Sequence, residues 1–260
     1  MTRDMSLVSK NGGTTLVKSK QIMLLKMEEG MACWEQKIAQ MSRIAFLSLI
    51  NLGLVCFLFS CNGRKEVESL PFYNTPDFEP IFISEVGQEK ELVKHQIADF
   101  SLTDQSGQVI SEASVEGKVH IANFMFTSCG SICPVMTNQL KIVEEKFGSN
   151  PEFLILSYSV TPWIDDVPKL KEYVENNEIK APNWHFLTGS KSEIYTLARQ
   201  SYFAEEDLGF TKDSTEFLHT EHVLLVDQSK RIRGIYNGTL QLEIEQLSED
   251  IQILLDEMNR

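Results

Sequence analysis

The stretch Asn123-Phe124-Met125-Phe126-Thr127-Ser128-Cys129-Gly130-Ser131-Ile132-Cys133-Pro134 limits the folds open to this chain more than any other. The apolar run from Val119 to Phe126 is short, β-branched and aromatic, which is the pattern of a buried strand. It stops at Thr127-Ser128, and beyond Cys133 the residues Met136, Leu140, Val143 and Phe147 fall on one helical face. Two thiols therefore sit at a strand-to-helix turn, with Pro134 tolerated in the first helical turn, where its missing N–H would be unpaired anyway. Unpaired N–H groups and the positive end of the helix dipole favour thiolate, the form that attacks disulfides and binds metals. Cysteines four apart, with one helical turn between them, can point the same way and share a metal ion or form a disulfide. A structural disulfide or a pair of inert buried thiols is the competing account, and spacing alone leaves it open.

The rest of the cysteine inventory sharpens this. Cys33, Cys56 and Cys61 lie in or before an apolar N-terminal segment, so the remaining chain carries one dithiol and no disulfide scaffold. At 260 residues and 42% apolar composition the chain can bury a real core. A formal charge of −13 argues against nucleic acid as a partner, since phosphate contacts need a basic surface. After residue 43 the balance is more acidic still, 17 Lys and Arg against 33 Asp and Glu. That suits a basic partner or a cation cargo, with solubility as the default reading.

Residues 1–40 read as a non-native upstream extension or a disordered segment. Met41-Ser42-Arg43 then opens an export signal: a basic start, an apolar stretch from Ile44 to Phe59, and Ser60-Cys61. The stretch is short for a spanning helix and is interrupted by Asn51 and Gly53. A small residue before cysteine resembles the lipobox of bacterial lipoproteins, which makes Cys61 the expected lipidation site and residues 41–61 the anchor. Phe59 is unusual one place earlier, and a plain membrane anchor is the alternative. Either way the expectation is a domain tethered outside the cytoplasm, on the periplasmic face. Residues 62–94, polar and bearing Pro71, Pro76 and Pro80, read as a tether with an extended lead-in.

Over residues 95–260 the elements alternate. Strands are expected at Ala98 to Leu102, Val119 to Phe126, Phe153 to Val160, Trp184 to Leu187, His222 to Val226 and Arg231 to Tyr236. Helices are expected from Pro134, from Asp165-Asp166 with Pro168 in the first turn, from a capping box at Ser190 to Glu193, and from Leu240 to Met258. This order, with a dithiol after an early buried strand, fits a thioredoxin-like α/β fold, a central mixed β-sheet flanked by helices.

Four stretches now stand together: Asn123 to Pro134, Ser157-Tyr158-Ser159-Val160-Thr161-Pro162, Trp184-His185-Phe186-Leu187-Thr188-Gly189, and His219 with Asp227 eight residues on. On these, residues 95–258 resemble the Sco/SenC family. The resemblance implies a membrane-tethered, thioredoxin-like copper protein that helps assemble the dinuclear copper centre of cytochrome c oxidase, with the copper-accepting oxidase subunit as partner. It implies copper held by Cys129, Cys133 and His219. Two departures stand out. The family usually has proline where this chain has Gly130, which loosens the turn. It commonly has aspartate where this chain has Thr161, so any role of that carboxylate is lost or moved to Asp165 or Asp166.

The donor chemistry agrees with that cargo. Cu(I) favours thiolates and imidazole suits both copper oxidation states, while two thiolates and one imidazole leave an open side for handing the ion on. Zinc would take a fourth protein ligand in a structural site, or water in a catalytic one. Among the five histidines only His219 and His222 lie at the mouth of a strand downstream of the dithiol. His219 is preferred for its register to Asp227, with His222 as the substitute. Met125 and Met136, at strand and helical spacing, read as core residues.

The function expected is a copper chaperone, which is not an enzyme in the ordinary sense. The alternative is a membrane-tethered thiol–disulfide oxidoreductase, with Cys129 attacking and Cys133 resolving. Three residues between the cysteines and no proline after Pro182 weaken that alternative. A copper or redox sensor has no feature in its favour, and no peroxidatic signature surrounds the pair.

Overall fold

Why the strand β5 (Val119–Met125) forms where it does follows from burial on both faces. All seven residues of Val119–Met125 are buried, and alternate side chains enter different cores. Val119, Ile121 and Met125 join one apolar cluster, whereas Ala122 and Phe124 join the other. A strand covered on both sides reads as a continuous apolar run, which is why this one was conspicuous in the sequence. The computed structural model describes residues 69–83, 87–204 and 220–259. Those residues belong to one compact unit, Val67–Arg260. The expected upstream extension, the anchor with Cys61, the first part of the tether and His219 lie outside the described residues.

In chain order the elements are β1 (Phe72–Tyr73), β2 (Pro80–Ile81), α1 (Glu89–Leu92), β3 (Ser101–Asp104), β4 (Val109–Ser111), α2 (Glu112–Val115), β5, α3 (Ile132–Phe147), β6 (Phe153–Ser159), α4 (Val167–Asn176), β7 (Trp184–Thr188), α5 (Lys191–Thr196) with a π-helical turn Leu197–Ser201, β8 (His222–Val226), β9 (Ile232–Asn237) and α6 (Gln241–Met258). The strands form one sheet in the order β2-β1-β9-β8-β5-β6-β7-β3-β4. β5, β6 and β7 run parallel, and β8 pairs antiparallel to β5 with Asn123 opposite Val223. This is the expected mixed sheet flanked by helices. On one face α3 and α6 bury Met136, Leu140, Val143, Leu247 and Ile251 against Ile121, Ile155 and Val223. On the other, Phe100, Phe124, Tyr158 and Tyr202 pack together.

Three local readings change. The lead-in to the domain is extended but held: β1 pairs with β2 and with β9, and the buried Arg233 reaches back to it. The Arg233 guanidinium donates to the Leu70 carbonyl at 2.8 Å and the Pro71 carbonyl at 3.1 Å, and lies 4.0 Å from the centre of the Phe72 ring. Asp104 accepts from Ser106 and Gln108 and so closes a turn into a hairpin, whose second strand, β4, the sequence pattern did not reveal. The capping box at Ser190 does not form, because the Glu193 carboxylate accepts instead from the Ser101 backbone N–H of β3 at 2.8 Å. A reciprocal box forms at Ser111 and Ser114 on α2.

Candidate functional site

Parallel pairing of β5 with β6 brings two loops together at the sheet's carboxyl edge: residues 126–131, leading to α3, and 160–166, leading to α4. Val160 donates its N–H to the Met125 carbonyl at 2.9 Å, which locks the loop bases side by side. The first loop carries Cys129, and Cys133 follows in the first turn of α3. Both thiols are free. Cys133 is 2% exposed and packs with Met125 and Met136 in the helix-side core, as the helical spacing requires. Cys129 is half-buried, with its backbone N–H donating to the Phe126 carbonyl at 3.2 Å.

The helix start explains the chemistry of the pair. Ser131, at the N-cap of α3, makes no side-chain capping bond, so the first N–H groups are left for another acceptor. Partial burial pushes the Cys129 thiol up, but the backbone N–H groups of Cys133, Ser131 and Ile132 and the Cys133 side chain outweigh it and bring it below its ordinary value. In effect Cys129 caps the helix. Burial instead pushes Cys133 up to about 12, and the neighbouring Cys129 adds to the rise. One acidic, accessible thiol beside one buried, reluctant thiol suits an attacking and resolving pair, or a two-sulfur metal site open on one side.

The second loop supplies a carboxylate. Asp165, fully buried, accepts from the Thr127 backbone N–H at 3.1 Å and the Thr127 hydroxyl at 2.5 Å. It also accepts from the Ser159 hydroxyl at 2.6 Å and the Thr161 hydroxyl at 3.0 Å. Asp166 does something different, accepting from the Lys169 N–H as the N-cap of α4. Thr161, the departure noted in the sequence, thus donates to Asp165. A hydroxyl there removes what would be a second carboxylate against the first. The spacing of Asp165-Asp166 marked a helix start, but nothing in it distinguished the cap from the residue tied to the dithiol loop. Tyr173 lies close by, its hydroxyl 2.9 Å from that of Thr137, and burial raises its pKa with Cys133, Cys129 and Asp165 adding to the rise.

The histidines divide clearly. His222 opens β8 opposite Asn237, one residue before Val223, which packs in the core that holds Cys133. Side chains alternate along a strand, so His222 belongs with Leu224 and Val226 on the other face. That makes it a poor substitute ligand. Asp227, used to rank His219, sits at the far end of β8, where its carboxylate accepts from Ser229, the Arg231 N–H and Arg233. Its register therefore reports a turn rather than a site contact. Among the described residues no group of three His, Cys, Asp or Glu side chains is placed to hold a metal ion. His120 is enclosed in the opposite core 3.2 Å from the Tyr202 hydroxyl, and His185 pairs with Asp104. Met125 and Met136 are core residues, as expected.

A cavity of about 620 Å³ lies at the other end of the sheet, lined in part by Phe72, Asp227, Arg231 and Arg233. Arg233 there already serves chain carbonyls and the carboxylates of Asp227 and Glu257. The redox-capable atoms are at the opposite edge.

Fold and site together define a thioredoxin-like α/β protein with an asymmetric dithiol at the carboxyl edge of its sheet. The chain belongs to the SCO1/SenC family, whose model matches residues 88–256. It is 30% identical over 167 residues to the SCO1 protein homolog of Bacillus subtilis (strain 168), covering 64% of this chain and 86% of that one. The BsSco structure in which a disulfide switch was identified, from the Sco family of cytochrome c oxidase assembly proteins, is 29% identical, with a TM-score of 0.51 over 61% of this chain and 92% of that one. The SCO1/SenC family lipoprotein of Bacillus anthracis str. Ames is 25% identical, with a TM-score of 0.54 over 62% of this chain and 95% of that one.

Proposed function

We propose that this protein is a copper chaperone of cytochrome c oxidase assembly, holding copper through the Cys129 and Cys133 sulfurs and the His219 imidazole. The observation that carries the reading is the acidic Cys129 thiol poised beside Cys133 on a family-matched scaffold. Two thiolates are a soft donor set suited to Cu(I), and a third donor from one side leaves the ion open to ligand exchange with an acceptor. The acceptor is a copper-binding oxidase subunit. Lipidation at Cys61 tethers the domain to the membrane on the periplasmic side, in line with the lipoprotein nature of the Bacillus anthracis relative.

Copper stoichiometry of the full chain under reducing conditions tests this. One copper per chain is expected, lost in Cys129→Ala or Cys133→Ala and weakened at least tenfold in His219→Ala. Wild-type affinity in His219→Ala would remove that histidine from the ligand set.

A second reading is favoured by the opposite shifts of the two thiols: disulfide exchange, with Cys129 attacking and Cys133 resolving. The disulfide switch of BsSco points the same way. Rapid insulin reduction with no copper retained would select it over the first.

A further inference from the structure

We propose that Asp165 is the positioning residue of the dithiol, fixing the turn that carries Cys129 so that this thiol stays beside Cys133. The inference deepens the functional reading above and rests on Cys129 and Cys133 being the working pair. The two sulfurs are held by different means. Cys133 lies in a helix and is packed into the core, so its place is set by α3. Cys129 lies in a turn outside any helix or strand, and its own backbone makes one bond, to Phe126. Two residues upstream, Thr127 is tied to Asp165 through both its N–H and its hydroxyl. The same carboxylate gathers Ser159 at the end of β6 and Thr161 in the next loop. Asp165 is thus the node where the dithiol turn is fastened to the rest of the sheet edge.

That fastening has a chemical consequence. Forming the disulfide from the dithiol joins the two sulfurs and releases two electrons and two protons, which glutathione disulfide accepts to become two glutathione thiols. How readily it forms depends on the effective concentration of one sulfur at the other, as does two-point capture of a metal ion. A loosened turn lowers both together.

The test is made on the full chain equilibrated in glutathione buffers, with the redox state read on the alkylated peptide holding Cys129 and Cys133. Asp165→Ala is expected to lower the equilibrium constant for disulfide formation about tenfold, or about 30 mV, and to weaken copper retention alongside. Asp165→Asn is expected to stay within twofold of wild type. Its carbonyl can take the three bonds now made to Oδ2, and its amide can donate to a Thr127 hydroxyl turned to accept. Asp250→Ala, which removes a buried carboxylate of α6 that accepts from Tyr236 of β9, is the stability control and is expected within twofold. An unshifted Asp165→Ala, or equal shifts in Asp165→Ala and Asp250→Ala, overturns the proposal. Should Asp165→Ala fail to fold, Thr127→Val decides. A threefold shift in the same direction supports the role, and a wild-type value overturns it. A wild-type chain that neither forms the disulfide nor holds copper removes the working site and the positioning role together, whereas one that does both beside an unshifted Asp165→Ala removes the positioning role alone.

Discussion

Cys129 lies in the turn just before α3 and Cys133 in its first turn, and their surroundings drive their acidities in opposite directions. Backbone N–H groups at the start of α3 hold Cys129 below the usual thiol range, and burial lifts Cys133 to about 12. Iodoacetamide at neutral pH should therefore label the reduced protein at Cys129 many-fold faster than at Cys133. Rates from peptide mass spectrometry would show it, and comparable rates at the two positions would contradict the assigned roles.

The buried thiol also sets an alkaline limit. An acid whose folded pKa is raised contributes stability that is present below its unfolded value and is lost as pH rises towards the folded one. For Cys133 that window opens near the ordinary thiol value of about 8.5 and closes at about 12. Urea midpoints of the reduced protein should fall between pH 8.5 and 10, and Cys133→Ala should flatten that fall.

His120 sets the acid limit. Burial, with the charge of Lys230 adding, drives its pKa down to about 3. The folded imidazole stays neutral while the unfolded one takes up a proton below about pH 6.5. Stability should therefore drop as pH falls from 6.5, by about 3 kcal/mol at pH 4. His120→Gln should make the midpoint-against-pH line shallower by one proton. Parallel lines would mean that another group carries the acid sensitivity.

Arg233 should behave as a clamp. Arg233→Met strips the Asp227 and Glu257 carboxylates of their cation and leaves the Leu70 and Pro71 carbonyls without a donor. Loss of one partner from a buried pair costs about 3–5 kcal/mol. Amide exchange at Phe72 and Tyr73 should accelerate more than exchange in β5.

Gly130 offers a gain. A Cβ there meets nothing within 4 Å, and the residue is not among those with positive φ. Gly130→Ala should raise stability by about 0.4–1 kcal/mol by restricting the unfolded chain, read as a higher urea midpoint.

How far the chain could be read in advance depended on where the information lies. β5, α3 and α6 were legible because burial imposes a period or an unbroken apolar run on each. The dithiol was legible because its two residues are close in sequence. Asp165 was visible as a helix start and, with Asp166, as one of two places a displaced carboxylate could go; nothing local chose between them, since its four hydrogen bonds come from Thr127, Ser159 and Thr161 across two loops. His222 stood as the substitute for His219 until strand alternation assigned it a face. β1 and β2, two residues each, are too short to carry a period, and their place is fixed by an arginine more than 150 residues away.

The pairing of β1 with β9 bears on where the domain can be cut. A fragment starting at residue 95 would lose β1, and with it the partner that Tyr73 provides for Ile232. The far side of β9 would then become an unguarded border of backbone donors and acceptors, ready to recruit a strand from a neighbouring molecule. Self-association of so short a fragment would reflect the scissors rather than the biology, and a boundary at residue 69 or earlier keeps that border closed.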